Sequence, residues 1–441
     1  LNTIDLRAGN HRFPPASVEV HKQCDNLEMT VNVSASLPGS KSVAARALTA
    51  NALSPVPARL VNLPDCEDTR RLAENVPLLR GALHPDEASP ASGGRARAFL
   101  GSGGASFRFF LAAAASVPGL RVEADCSDQL RRRPVGPLTE ALRGLGAHIS
   151  SADGKAPFLI SGSRLAGGRM RMNADVSSQF VSALMLAAPM WGQGMRLTLE
   201  QEPVSAPYIE MTARVMRRFG AEAEVGGREI HVAPVPYRAP QEFEVEADWS
   251  AASYLYEMAA LSPGLRFSAS GLLHPAVSLQ GDSRCAELFG RLGVATSFLA
   301  DGTAGIFRDP RVPLPERVEW DLGGQPDLVP ALAATLCALG VRFRIGGIGH
   351  LRHKESDRLS ALVSELGKCG HVLQADGGSL TYEGEMCAVR GKPVIDTRGD
   401  HRTAMSIAPL AGRLPCGLEI DDPRVVDKSF PGYWDLFAAA R

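Results

Sequence analysis

A helix N-terminus carries partial positive charge, so a Lys or Arg placed there costs about 0.3–1 kcal/mol unless an anion joins it. Three segments of the chain break this rule. Pro38-Gly39-Ser40-Lys41-Ser42 runs straight into the helical stretch Val43-Ala44-Ala45-Arg46-Ala47-Leu48. Arg131-Arg132-Arg133 stands before Pro134, read as a first-turn proline opening a helix over 138–145. Asp400-His401-Arg402 opens the apolar run 404–410. Backbone N–H groups and a side-chain cation acting together are a binding site for phosphate or carboxylate. Val176-Ser177-Ser178-Gln179 follows the same logic without the cation, placing three polar side chains at the start of the apolar helix 180–190, where a plain cap needs one. His353-Lys354-Glu355-Ser356-Asp357-Arg358 reads either as a solvated charged face or as acid and base groups gathered together; if helical, Lys354 and Arg358 are i, i+4 neighbours of like charge.

Two motifs that would bring nucleotides fail. Gly39-Ser40-Lys41-Ser42 lacks the glycine before lysine, and the earlier glycine, that a P-loop needs. Gly101-Ser102-Gly103-Gly104-Ala105-Ser106 has Ser where the third glycine of a dinucleotide fingerprint belongs. It remains a cradle of backbone N–H groups suited to an anion.

The elements that must position these groups come from an internal repeat. A helix-like segment, a glycine and a short alternating strand recur at Gly146, Gly220, Gly293 and Gly370, preceded by cations that suit a helix C-terminus. That spacing is too long for a solenoid; it fits a βαβ unit with extra strands, about six per chain. The 441 residues carry 47 Lys+Arg against 48 Asp+Glu, which gives no reason to expect nucleic acid or an anionic membrane as partner. No stretch approaches the roughly 20 apolar residues of a membrane span, so a cytoplasmic protein is expected. The eight cysteines are scattered and read as small buried hydrophobes, with no metal site. Chain crossings between domains are expected at Leu37-Pro38-Gly39 and Val245-Glu246-Ala247-Asp248.

Taken in order, these motifs resemble the 5-enolpyruvylshikimate-3-phosphate synthase family of enolpyruvyl transferases. The similarity runs from Pro38-Gly39-Ser40-Lys41-Ser42 through Leu100-Gly101 to Arg108, Arg133-Pro134, Val176-Ser177-Ser178-Gln179-Phe180, Val204-Ser205-Ala206-Pro207-Tyr208-Ile209 and Ala251-Ala252-Ser253-Tyr254. It closes with Pro326-Asp327, Lys354 to Arg358, Asp400 to Met405 and Lys428-Ser429-Phe430-Pro431. The resemblance implies an α/β (α+β) fold, a two-domain inside-out α/β barrel with three βαβαββ repeats per domain. Residues 1–38 plus 247–441 would form domain I and 39–246 domain II. It also implies transfer of the enolpyruvyl group of phosphoenolpyruvate to the 5-hydroxyl of shikimate 3-phosphate, in aromatic amino-acid (chorismate) biosynthesis, by a monomer without metal or organic cofactor.

The same resemblance assigns residues. Lys41, Ser42, Arg46, Ser177, Ser178, Gln179, Ser205, Tyr208, His350 and Lys354 would bind shikimate 3-phosphate, with Asp327 as base on its 5-hydroxyl. Lys41, Gly104, Arg133, Gln179, Arg358, Arg402 and Lys428 would hold phosphoenolpyruvate. Glu355 with the neighbouring lysines would handle the proton at C3, giving a catalytic set of Asp327, Glu355, Lys41 and Lys428. Taken by itself, Asp327 in Gly323-Gly324-Gln325-Pro326-Asp327 reads equally as a helix cap. The chain departs from the family pattern at Ser102, Ala105, Ala44-Ala45 and His350. The alternatives are a UDP-N-acetylglucosamine enolpyruvyl transferase, disfavoured because no cysteine lies between Gly101 and Arg108, and a catalytically silent binding protein of the same fold.

Overall fold

A computed structural model describes residues 18–19, 30–84, 95–173 and 177–441; Cys24 and Val176 lie outside the described residues. The chain divides into two compact units, one of Leu1–Pro38 with Glu246–Arg441, the other Gly39–Val245.

One sheet design occurs twice in each unit. In Gly39–Val245, Ala96–Phe99 pairs parallel with Arg121–Asp125, which pairs antiparallel with Phe158–Ser161, and His148–Ser150 closes the hairpin. Gly168–Met172, Met195–Leu199, Glu229–Val232 and Ala223–Gly226 repeat that order. In the other unit Val31–Ser36, Leu265–Ser270, Thr303–Arg308 and Val294–Phe298 follow it. So do Arg317–Asp321, Arg342–Gly346, Leu380–Met386 and His371–Ala375. Each unit also has a parallel pair, Arg59–Val61 with Glu242–Glu244 and Val394–Ile395 with Glu419–Ile420. The four repeat glycines have φ between 77° and 97°, a left-handed conformation that glycine adopts without a Cβ clash as each helix ends.

The helices lie inside and the sheets outside. Trp249–Leu261 is buried at every position, and Gly104–Ser116 and Ser178–Ala187 at nearly all. A helix apolar all round must be enclosed. Leu265–Ser270, by contrast, alternates buried and exposed residues, the pattern of a sheet with one face in water. Among the described residues no helix is long and apolar enough to cross a membrane.

Two local expectations change. The helix expected over 138–145 is Gly136–Gly144, and its first-turn proline is Pro137. Pro134 lies in the loop after the short helix Asp128–Arg131, which leaves Arg133 at a loop bend rather than on a helix cap. Residues 353–358 are not one helix: Gly349–His353 is a 3-10 turn, and Asp357 caps the helix Arg358–Lys368 by accepting from Ser360 N. Lys354 and Arg358 are therefore not stacked on a helix face, and the like-charge penalty disappears.

Candidate functional site

In the unit Gly39–Val245, Lys41 is the first residue of the helix Lys41–Ala52, capped by Ser40. Its ammonium meets Asp68 Oδ2 at 2.9 Å. The Asp68 carbonyl accepts from Ser106 Oγ at 2.9 Å, which joins Lys41 to the start of the helix Gly104–Ser116. Among the described residues no side chain caps that helix, which leaves its first N–H groups to serve an anion.

Gly104 is where several groups crowd together. A Cβ on it would stand 2.6 Å from Arg108 Nη1, 2.8 Å from Arg133 Nη1 and 2.9 Å from Gln179 Oε1, so any other residue would push these side chains apart. The fold thus gathers Gly104, Arg133 and Gln179. It adds Arg108, which the sequence reading did not include among the binding residues. Arg108 is buried and donates to Gly104 O, Gln179 Oε1 and Pro134 O, with its guanidinium over the Phe180 ring. Its signal in the sequence is a lone arginine, the second residue of the run Phe107 to Ala115, a place where a cation survives only with fixed partners.

Arg46 has a bracing role. It donates to Thr212 Oγ1 at 2.7 Å, Ser42 O at 2.8 Å, Tyr208 O at 3.0 Å and Ser182 Oγ at 3.3 Å, tying together the helices Lys41–Ala52, Ser178–Ala187 and Ala206–Arg218. Burial pulls its pKa down to about 10. Ser177 caps the helix Ser178–Ala187 by accepting from Gln179 N, leaving Ser178 and Gln179 in its first turn. Ser205 precedes the helix Ala206–Arg218 at φ 60°. A non-glycine residue in that region stores roughly 1–3 kcal/mol of strain, which is common at binding sites.

In the other unit Asp327 is a hub. Its Oδ1 accepts from Arg358 Nη1 at 2.9 Å and its Oδ2 from Arg402 Nη2 at 2.8 Å, while Arg402 Nη1 reaches the Asp327 carbonyl at 3.2 Å. Arg358 also binds Glu355 Oε2 at 2.7 Å and Asp400 Oδ2 at 2.8 Å. Asp400, fully buried, caps the helix His401–Ile407 through Arg402 N. Burial by itself would raise the Asp327 carboxyl, but Arg402, Lys354 and Arg358 together hold it far below the usual carboxylate range, against Glu355. Burial would lower Arg358, yet Asp400, Glu355 and Asp327 raise it well above its ordinary value. His350 is pushed down to about 4 by burial and by Lys354, so it is neutral at pH 7. The Tyr254 phenol is raised to about 12 by burial, offset in part by Arg402.

Lys428 ends the 3-10 segment Pro423–Lys428, which packs on the helix His401–Ile407. Its ammonium is buried and has no hydrogen-bond partner among the described residues. An isolated ammonium is costly to bury and is matched by an anion or loses its proton. Asp327 does not cap the helix Val329–Ala338, whose N-cap is Leu328. That favours the chemical reading of Asp327 over the helix-cap reading. In chemical terms, this unit brings together a carboxylate kept ionised by two arginines, a second acid on one of them, and a buried cation. Such a set can bind an anion and move protons.

A family model described as EPSP synthase (3-phosphoshikimate 1-carboxyvinyltransferase) matches residues 23–437. A 3-phosphoshikimate 1-carboxyvinyltransferase of Bacteroides fragilis is 40% identical over 403 residues, covering 90% of this chain and 93% of the relative. One of Syntrophobacter fumaroxidans is 35% identical over 415 residues, covering 91% and 95%. Among solved structures, an EPSP synthase from Acinetobacter baumannii has the same fold, with a TM-score of 0.70 at 20% identity, covering 93% of this chain and 96% of that one.

Proposed function

The chain belongs to the EPSP synthase (3-phosphoshikimate 1-carboxyvinyltransferase) family, and from that premise we propose that it transfers the enolpyruvyl group of phosphoenolpyruvate to the 5-hydroxyl of shikimate 3-phosphate, releasing phosphate. The hydroxyl oxygen adds to C2 of phosphoenolpyruvate as its proton passes to Asp327, and C3 takes a proton from Glu355 or a neighbouring lysine. The tetrahedral adduct then loses phosphate from C2 and a proton from C3, leaving the enol ether.

The observation that carries this reading is the ion pairing of Asp327 with Arg358 and Arg402. Without an anion present, those arginines make Asp327 a weak base. The phosphate and carboxylate of phosphoenolpyruvate compete for the same guanidinium donors, and Lys428 supplies a further cation. As the arginines turn to the ligand, their hold on Asp327 weakens and its proton affinity rises toward the range a general base needs. Substrate binding and base activation are then one event. In the unit Gly39–Val245 the same substrate is assigned Lys41, Gly104, Arg133 and Gln179, and Arg108 there holds Gly104 O, Gln179 Oε1 and, beside Arg133, Pro134 O. Ser42, Ser177, Ser178, Ser205 and Tyr208 take shikimate 3-phosphate, with Arg46 as their brace and His350 and Lys354 as further contacts. Together the substrates bring roughly six negative charges, which accounts for so many cations at helix starts.

The working species is proposed to be a cytoplasmic monomer; light scattering on the purified chain tests the oligomeric part. The test of function is phosphate release from phosphoenolpyruvate with shikimate 3-phosphate, with UDP-N-acetylglucosamine, and with no acceptor. Release with the first alone is expected. Release only with the second, or none with any acceptor, would overturn the reading.

A further inference from the structure

The helix Arg358–Lys368 grips the chain ahead of Arg402 at a second point, which the proposed transfer does not use. Arg358 opens this helix and Glu365 lies seven residues on, so both side chains leave the same helix face. Glu365 is buried, and a carboxylate is seldom buried unless it is paired. Its Oε2 accepts from Asp396 N at 2.9 Å and from Lys368 Nζ at 2.5 Å. Its Oε1 accepts from Ser364 Oγ at 2.9 Å and lies 3.7 Å from Arg398 Nη2. Lys368 Nζ also donates to Val394 O at 2.9 Å. The segment from Val394 to Arg398 is thereby tied to the last turns of the helix whose first residue, Arg358, holds Asp400.

Between those ties runs a tight turn. Arg398 N donates to Asp396 Oδ1 and Asp400 N to Thr397 O, both at 2.9 Å. Arg398 has φ 53° and Gly399 φ 67°. The left-handed conformation suits Gly399 but strains Arg398, and such strain persists only where the surroundings hold it. Glu365 supplies a hold at the backbone N–H two residues earlier and by its charge toward the Arg398 guanidinium. On the other side Thr397 N donates to Asp421 Oδ1 at 3.0 Å, which fixes the turn between the helix and the segment after the strand Glu419–Ile420. The turn ends at Asp400, whose Oδ1 accepts from Arg402 N at 3.0 Å at the start of the helix His401–Ile407. Arg402 then donates to Asp327.

We propose that Glu365 is a positioning residue for the transfer reaction: by tying Asp396 N and Arg398 to the helix Arg358–Lys368, it sets where Asp400 starts the next helix and so where Arg402 meets phosphoenolpyruvate. This inference rests on the proposed function, which assigns Arg402 to that substrate. Glu365 touches no substrate and moves no proton. On the helix side, the Arg358–Asp400 pair alone is one fixed point about which the segment can pivot; Glu365 makes a second. A misplacement of about 1 Å in a substrate-holding group can cost about 100-fold in rate, so a remote tie carries catalytic weight. The competing role is structural, since Glu365 and Lys368 are also an i, i+3 pair on their own helix. A helix support acts whether or not Arg402 is present, whereas a positioning residue acts through it.

The experiment is a double-mutant cycle in the full chain, pairing Glu365→Ala with Arg402→Ala. It reads kcat/KM for phosphoenolpyruvate at saturating shikimate 3-phosphate, together with the KM of each substrate. Glu365→Ala alone should lower kcat/KM for phosphoenolpyruvate about tenfold and change the KM for shikimate 3-phosphate by less than about twofold. In the Arg402→Ala background the same substitution should cost less than about twofold, because the group it positions is gone. Glu365→Gln keeps an acceptor for Asp396 N but gives up the charge toward Arg398 and Lys368, and should fall between Glu365→Ala and the wild type. A loss of the same size in both backgrounds, equal rises in both KM values, or a folded Glu365→Ala with wild-type kcat/KM overturns the inference. Should Glu365→Ala not fold, the cycle with Glu365→Gln decides: a loss that vanishes in the Arg402→Ala background supports the inference, and a loss that persists there, or no loss at all, overturns it. Wild-type protein that releases no phosphate sinks the proposed function and this inference with it, whereas active wild-type protein with additive variants sinks the inference alone.

Discussion

The two units hold the buried arginines of their candidate sites in opposite ways. In Gly39–Val245, Arg46 and Arg108 are pinned by neutral acceptors: carbonyls of Ser42, Tyr208, Gly104 and Pro134, hydroxyls of Thr212 and Ser182, and the Gln179 amide. In the other unit Arg358 and Arg402 are pinned by carboxylates, Asp327, Glu355 and Asp400. Neutral acceptors fix a guanidinium and leave its charge in place, a standing attraction for an anion. Carboxylates cancel that charge until a competing anion arrives, and the exchange changes their proton affinity. The first arrangement suits holding a substrate, the second suits reacting with it.

The sharpest break of this comparison is Asp327→Ala. Turnover should fall by about two to four orders of magnitude while shikimate 3-phosphate, measured by calorimetry, still binds. Near-normal turnover would remove Asp327 as the base.

Next come the arginines as structural members. Arg358→Met strands the fully buried Asp400 and should cost about 3–5 kcal/mol in urea unfolding. Arg46→Met leaves only neutral groups behind and should cost about 1–3 kcal/mol. Equal losses would erase the distinction between the units. Arg402→Ala, which removes the cation proposed to meet phosphoenolpyruvate, should raise its KM by about 10- to 100-fold with a smaller change in the KM for shikimate 3-phosphate. An unchanged KM would take Arg402 out of the phosphoenolpyruvate site.

The smallest effect sharpens the comparison by asking where else this unit stores a titration. Glu257 is fully buried on the helix Trp249–Leu261, its carboxyl has no hydrogen-bond partner among the described residues, and burial raises it well above its usual range. A carboxyl raised in the folded state stabilises below its unfolded pKa, and that contribution is lost as pH rises through its folded pKa. Wild-type stability should therefore fall toward alkaline pH, and Glu257→Gln should flatten that fall by about 1 kcal/mol. An unflattened curve would place the alkaline loss elsewhere.

Much of this was legible from spacing. Lys41 directly after Ser40, three polar residues ahead of an apolar helix, and glycines at even intervals are local patterns. Local patterns set caps, turns and helix starts without help from distant residues. Arg133 was legible as a cation, but it stands in the loop ahead of the helix it was expected to open, because Pro137 rather than Pro134 sits in that helix's first turn. Arg108 went unread as a binding residue because its meaning lies in Gln179 and Pro134, which are remote in sequence.

By itself the sequence determined which elements form, where their N-termini fall and which family the chain belongs to, because these depend on short-range sterics, periodicity and ordered motifs. Only the tertiary structure decided which carboxylate meets which guanidinium, and hence that Asp327 is held ionised by Arg358 and Arg402. Those states depend on burial and on the distances between charges, and neither is fixed until distant segments pack together.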